Sequence, residues 1–503
     1  MPKAITSYAE NHGGRVALLF LLFLLAIYNF SVMGITGFAL VCMIPAGLLG
    51  LALAIRYQEA LFWFIFFMNY FVMGLSRYGY IPVPVTMVTL APQLILLLSF
   101  VVIPRPKKNS MLTIMLLAII IWTLYLAIQV FNQTCRLPVN LGAWLQNMNF
   151  YAFYFIIAYV LVSKIINTPE TIMRFLRIWA CFAIVAAFWA WRQKTFGWDT
   201  TEWRWLISGA MRTHIVGGSI RYFSFFSDAA NFGCSIAASA VTFFIVALNA
   251  KTRIDKLLFW VAFAFSTYGF FASGTRTALV CFMIGVFIYT LLSKSFKLTL
   301  FVIIAGGLFV SFLAFTDIGN GNMQIRRMRS AFNKDDASLN VRDINKAALK
   351  KYLQDAPFGM GINIDETSIP ANNKFKVVYQ TSNDSTYVFF WQRTGIVGVY
   401  VFAFMNILIF IGGAIITLFR LKTKTCRSIA GAFTCAFLAI NVGGYANHIL
   451  LQYPNILLFY GGMAIVYLLP AIESDFEAYE ASLIAKEEER KRLKLEKKQQ
   501  SRV

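Results

Sequence analysis

The chain has 503 residues, of which 59% are hydrophobic and only 14% charged, with a formal net charge of +22 and a mean hydropathy of +0.65. Soluble globular proteins carry about 25% charged residues, so this composition excludes a conventional soluble domain of any size. The apolar residues fall into blocks of about 17 to 22, long enough to cross a hydrocarbon layer of about 30 Å as helices. Backbone polar groups in lipid must be satisfied within the segment, which leaves the helix as the spanning form. The basic excess belongs to the loops of a membrane protein, and no nucleic-acid module accompanies it.

In chain order, about fourteen spans are predicted after a polar segment 1–15. They lie at 16–33, 38–55, 60–75, 86–103, 111–130, 144–163, 171–191, 229–249, 257–272, 277–292, 298–316, 388–419, 428–446 and 455–470. The first has no small-residue cleavage site and reads as an uncleaved anchor. The organisation is therefore 1–191, N-terminal spans; 192–316, spans with a first outer insertion; 317–387, a large outer loop; 388–472, C-terminal spans; and 473–503, a charged cytoplasmic tail.

Lys and Arg test this topology, because they are enriched in short cytoplasmic connections. Alternate connections carry Arg56; Arg105, Lys107 and Lys108; Lys164, Arg174 and Arg177; Lys251, Arg253 and Lys256; Lys294 and Lys297; and Arg420, Lys422, Lys424 and Arg427. Of the short opposite connections, 34–37 has no basic residue and 76–85 has only Arg77. Both termini are thus expected in the cytoplasm. The connections 192–228 and 317–387 are basic although they fall outside, and long loops translocate regardless of charge.

The first insertion opens with Trp198, Trp203 and Trp205, as an amphipathic piece at the interface would, and ends in Arg221. The second has helical periodicity over about 339–355, ended by Pro357, Gly359 and Gly361. The tail from Glu473 has the composition of a solvated helix. Of seven cysteines only Cys135 falls clearly in an outer loop, so neither a disulfide framework nor a metal spacing is present. The triplet Asn132-Gln133-Thr134 fits a glycosylation acceptor and reads as chance.

Ionisable residues are scarce at mid-depth, where an ion-coupled transporter would hold them. Polarity gathers instead at the outer ends of the later spans. Arg221 opens the eighth span. Ser273-Gly274-Thr275-Arg276 joins the ninth and tenth. Arg342 begins the loop helix that runs to Pro357-Phe358-Gly359-Met360-Gly361. Asp384-Ser385-Thr386-Tyr387 precedes Gly395-Ile396-Val397-Gly398 in the twelfth.

In this order and spacing, over roughly 215–400, these pieces resemble the O-antigen polymerase and ligase superfamily of bacterial envelope glycosyltransferases. The resemblance implies an all-α, GT-C-like polytopic protein of the bacterial inner membrane with its active site facing the periplasm. It implies a glycan donor on undecaprenyl diphosphate, a glycan or lipid acceptor, and a chain-length regulator or flippase as partner. Arg221, Arg276 and Arg342 would bind the diphosphate, since guanidinium groups pair bidentately with phosphate oxygens. Placed where charge develops they do the work of a metal ion, so no metal and no cofactor is expected. Asp384 would orient or deprotonate the acceptor hydroxyl, with His448 as the other acid–base candidate. Gly274, Gly359 and Gly361 would meet backbone requirements. Family ligases usually carry His-Asn where this chain has Asp384-Ser385, which favours a polymerase.

Other readings stand beside these. An outer arginine also anchors a span in headgroups, and Asp384 is also placed to cap the twelfth span. Arg326, Arg327 and Arg329 read as headgroup contacts, and His214 as a structural histidine. A ligase would use the same arginines to move a finished glycan to a lipid or protein. A flippase or exporter of lipid-linked oligosaccharides would also need cations, but on both sides of the midplane.

Overall fold

The computed structural model describes residues 47–79, 85–104, 112–216, 219–330 and 337–483, with a few isolated positions besides. Apart from one hairpin, Ile215–Val216 paired antiparallel with Ser219–Ile220, the regular structure of these residues is helical. The longer helices are α1 (Gln58–Tyr78), α2 (Val85–Val102), α3 (Ile114–Ile128), α4 (Leu141–Ile165) and α5 (Pro169–Phe196). Then come α6 (Ala229–Asn249), α7 (Arg253–Ala272), α8 (Arg276–Ser293) and α9 (Phe296–Phe315). The large loop holds α10 (Met323–Arg329) and α11 (Ala337–Leu353). The chain continues through α12 (Thr386–Arg420), α13 (Lys424–Ala446), α14 (Ile456–Ala471) and α15 (Glu473–Leu483).

Among the described residues ten helices are long and apolar enough to cross a membrane. Each predicted span from 60 to 470 coincides with one of the helices above. The span 16–33 lies almost wholly outside the described residues, and 38–55 is described from residue 47, where a helix runs Gly47–Arg56. The fold is an all-α polytopic membrane protein, and the count of fourteen reaches beyond what is described.

The chain divides into two units, one holding the described residues up to Ile65 and those from Leu90 to Pro104, the other the rest. In the first, Gln58 Nε2 donates to Ser99 Oγ at 3.3 Å and to the Ile103 carbonyl at 3.2 Å, tying two helix ends together. The remaining description concerns the second unit.

Its centre is α6, whose small residues Gly233, Ala237, Ala238 and Ser239 are buried on all sides. Small residues let helix backbones approach closely where lipid gives no hydrophobic drive to association. Around it pack α7, α8 and α13. Trp179 of α5 stacks on Phe433 of α13 at 6.0 Å. By contrast α9 buries only Leu313, as a helix facing lipid does.

Hydrogen bonds show which helix ends share a face. At one face Asn249 Nδ2 donates to Ser428 Oγ at 3.2 Å, and Glu473 Oε1 accepts the amides of Lys422 and Thr423 at 2.7 Å. Here α15 turns 87° from α14 and is held by a Lys251–Glu480 pair at 3.2 Å. The tail's first turns are therefore docked rather than fully solvated. At the other face Thr275 Oγ1 donates to the Ala229 carbonyl at 2.9 Å, Thr386 Oγ1 to the Asn447 carbonyl at 3.2 Å, and Asn455 Nδ2 to Asn231 Oδ1 at 2.8 Å.

On that second face the large loop builds a small core. Leu349 and Leu353 of α11 pack with Met360, Phe375, Val378 and, from the distant 132–140 connection, Cys135. The helix expected over 339–355 is α11. The tryptophans of the first insertion do not form one interfacial strip. Trp198 and Trp205 pack onto Leu206 and Phe223, leaving Trp203 the exposed one. The cause is local: Asp199 and Glu202 form a capping box that starts a short helix and turns the indoles inward.

Candidate functional site

The connection between α7 and α8 is made by Ser273, Gly274 and Thr275. Ser273 Oγ accepts the Thr275 amide at 3.1 Å, and Gly274 turns the chain with φ +58°. That conformation costs a residue with a Cβ and costs glycine little. Arg221 reaches this turn from the first insertion. Its Nη2 donates to Thr275 Oγ1 and its Nη1 to the Thr213 carbonyl, both at 2.9 Å. Arg276, the first residue of α8, donates through Nη1 to the carbonyl and hydroxyl oxygens of Ser330 at 3.2 Å.

The charges of Arg342 and Arg276 both act on Arg221. Burial lowers its proton affinity, Asp228 and Cys234 oppose that shift, and Arg342 and Arg276 add to it. A guanidinium stays charged regardless. Arg221 and Arg276 thus meet at the α7–α8 turn, and Arg342 of α11 is near enough for its charge to act on Arg221.

Gly359 meets Gly395 backbone to backbone. Gly361 donates its amide to the Arg393 carbonyl at 2.8 Å, and Met360 to that of Gln392 at 2.9 Å. This docks the Pro357–Gly361 turn on α12 where Gly395, with φ +68°, breaks the helix. Gly359 and Gly361 hold φ of +69° and +91°. The two motifs that the sequence keeps about forty residues apart therefore form one backbone joint.

Ser385, not Asp384, caps α12: its Oγ accepts the amides of Tyr387 at 3.2 Å and Val388 at 3.5 Å. Asp384 is exposed, and its Oδ1 accepts the Ser382 hydroxyl at 3.1 Å. The alternative of Asp384 as a cap is thereby corrected, because the chain enters the helix one residue later. His214 is committed to structure. Its Nδ1 lies 2.8 Å from the Ala210 carbonyl and its Nε2 accepts the Ala229 amide at 3.3 Å. His448 packs against Phe389 with ring centroids 4.4 Å apart and the planes tilted by 51°, and its Nδ1 is buried with no hydrogen-bond partner among the described residues. Burial pushes its pKa down to about 4, with Arg393 adding and Asp228 opposing, so the ring is neutral at pH 7.

Two features went unnoticed in the sequence. Asp228 caps α6, with Oδ1 accepting the amides of Ala230 at 2.7 Å and Asn231 at 2.9 Å, and its charge acts on Arg221, His214 and His448. The signal was a polar Ser227-Asp228 immediately before an apolar run. Arg393 pairs with Glu366 at 2.6 Å and lies 3.9 Å over the Phe389 ring. A single charge inside an otherwise apolar span should have marked it. Among the described residues no group of three or more His, Cys, Asp or Glu could hold a metal ion.

No curated protein matches the chain. Residues 261–403, which run from α7 into α12 and hold Gly274, Arg276, Arg342, the Pro357–Gly361 turn and Gly395, match the model of the O-antigen ligase family, and this match supports the resemblance to the O-antigen polymerase and ligase superfamily.

Proposed function

We propose that this protein is a membrane glycosyltransferase that polymerises oligosaccharide units carried on undecaprenyl diphosphate, at the periplasmic face of the bacterial inner membrane. The observation that carries the reading is that Arg221 and Arg276 meet at the Gly274 turn, with the charge of Arg342 acting on Arg221. A lipid diphosphate is the anion such a cluster suits, being held at the membrane boundary by its own tail. The glycosidic C1–O bond to the diphosphate breaks, and its electron pair leaves on the phosphate oxygen. The arginines stabilise that growing charge. An acceptor hydroxyl attacks C1 and gives up its proton, with exposed Asp384 as first candidate to take it and neutral His448 as second.

The side assignment is supported by Lys251, Lys256, Lys294, Lys422 and Lys424, which lie at the opposite helix ends. Asp384-Ser385 in place of His-Asn favours a polymerase. The family description, O-antigen ligase, favours transfer to a lipid or protein instead. Lipid-linked oligosaccharide supplied to the full chain in nanodiscs tests both. A ladder of lengthened glycans supports polymerase, and transfer only to an added lipid acceptor supports ligase. Unchanged transfer when Arg221, Arg276 and Arg342 are each made Ala would overturn the site.

A further inference from the structure

Between α7, α8 and α9 lies a cavity of about 860 Å³, within the range of small-molecule binding sites. Phenylalanine dominates its walls: Phe263 and Phe270 from α7, Phe282 and Phe287 from α8, Phe301 and Phe309 from α9. Along α9 the lining runs from Phe301 to Ser311, roughly 15 Å, or half of a hydrocarbon layer of about 30 Å. Its upper end reaches the turn where Arg221 and Arg276 meet, because Phe271 and Leu279 of the lining stand within one helical turn of Ser273 and Arg276. There a second cavity, of about 330 Å³, adjoins it across Phe271 and Phe309, which line both. This upper cavity adds Lys194, Asn322 and Gln324, and α10 covers it with Ile325 and Met328. The cover is tied to the same turn, with Arg327 Nε donating to the Gly274 carbonyl at 2.6 Å. Phe287 and Phe301 are exposed, so the larger cavity opens on the lipid-facing side of the bundle.

Gly306 and Gly307 line the larger cavity, and nothing lies within 4 Å of a Cβ built on either. Glycine weakens a helix interior. In a membrane its usual return is a second helix packed close against it. Here no neighbour is packed, and the pair keeps room free along the groove.

We propose that this cavity holds the polyprenyl tail of the donor, with the diphosphate at the Gly274 turn and the first isoprene units between α7, α8 and α9. This rests on the diphosphate reading of the site. A tail joined to a diphosphate beside Arg221 has to leave along hydrocarbon surface, and this groove is such a surface beginning at that turn. Charged and amide side chains gather at the upper end alone, as a molecule charged at one end requires. Each isoprene unit carries a double bond, so the chain loses less freedom than a saturated one when laid on fixed rings. The tail comes from lipid, so the hydrophobic effect does not draw it into the groove. What the groove supplies is dispersion contact and a fixed position for the diphosphate and the C1–O bond beside the acceptor.

The test uses the full chain in nanodiscs and a polyprenyl diphosphate with a photoreactive group on one of its first isoprene units. After illumination the label should map to 263–287 and 301–311. Excess undecaprenyl diphosphate should remove it, and added phospholipid should not. Gly307→Leu, which fills the groove, should weaken undecaprenyl diphosphate binding by about threefold or more, the weight of several dispersion contacts. It should leave the binding of inorganic pyrophosphate and the melting temperature unchanged. Leu308→Phe, on the side of α9 away from the cavity, should alter none of these. Label spread over the lipid-facing residues of other helices, or removed by phospholipid, would make the groove ordinary lipid-filled surface and overturn the proposal. Unchanged undecaprenyl diphosphate binding in Gly307→Leu, or an equal loss of pyrophosphate binding, would do the same. Should Gly307→Leu not reach the membrane, Ala305→Phe fills the same groove and decides by the same measurements. If wild type binds neither undecaprenyl diphosphate nor pyrophosphate, the diphosphate reading itself falls. If it binds undecaprenyl diphosphate without labelling the groove, only the tail assignment falls.

Discussion

Gly359 and Gly395 meet backbone to backbone: a Cβ on Gly359 would lie 2.7 Å from the Thr394 amide nitrogen, and one on Gly395 would collide with the Pro357 carbonyl. Neither neighbour is a flexible side chain that could yield. Both residues also hold positive φ, which costs other residues about 1–3 kcal/mol before any collision. The joint fixes the loop that carries α11, and with it Arg342, to the break in α12.

Gly359→Ala and Gly395→Ala are therefore expected to lower the melting temperature of the solubilised protein sharply, or to prevent its accumulation. Gly306→Ala, in α9, should be silent, because nothing lies within 4 Å of a Cβ there. Equal behaviour of all three variants would mean the joint is not rigid.

Arg276→Ala should abolish glycan transfer while leaving membrane expression intact, and Arg276→Lys should also fail substantially. Lysine keeps the charge but loses the planar fork. Near-normal glycan in both variants, scored by mass spectrometry of envelope glycans, would reduce Arg276 to an anchor for Ser330.

Asp384→Asn should slow transfer by at least about tenfold, a conservative floor beneath the roughly 10²-fold low end of general-base contributions, with unchanged stability. Ser385→Ala should do the reverse, costing about 1 kcal/mol of stability as a lost helix cap. If Asp384→Asn transfers at the wild-type rate, the proton acceptor is to be sought at His448.

His214 and His448 both have their pKa pushed down to about 4, chiefly by burial. An unfolded histidine has a pKa of about 6.5, so below that pH the unfolded chain binds protons that the folded one refuses. Stability should be level above about pH 6.5 and fall as pH drops from there toward 4. Melting curves of wild type and of His214→Gln across this window check it. The variant should lose part of the slope, and parallel curves would remove the histidine from the account.

A reporter inserted near Asn372 should read outside, and one near Lys251 inside, since the two lie at opposite helix ends. The same side for both would break the topology on which the proposed periplasmic site depends.

Hydropathy and loop charge made the helices legible because lipid imposes length and polarity on each span separately. The arginines proposed for the site were named as cations near the outer ends of predicted spans, and of the three only Arg276 stands at a helix start, Arg221 following the hairpin and Arg342 lying inside α11. What the sequence hid is pairing at a distance. Nothing in 357–361 or 395–398 announces that these glycines face each other, and nothing in Arg326-Arg327-Met328-Arg329 says which guanidinium turns to Gly274. The role of Asp384 as cap or base hinged on a one-residue shift at the start of α12, finer than periodicity resolves.

The small core that joins Cys135 to Leu349, Leu353 and Phe375 imposes an order of synthesis. Asn373, which donates to the Cys135 carbonyl at 3.0 Å, follows it by 238 residues. At about 5–20 residues per second, that is a wait of roughly 12 to 48 s. Through that interval the 132–140 connection, which the proposed topology puts outside, stands with its thiol and apolar side chains uncovered by the loop. Once the loop closes, burial together with Glu366 pushes the Cys135 thiol up to about 12, and its reactivity ends. An oxidant or alkylating probe should thus mark this cysteine in nascent chains and pass over it in finished ones.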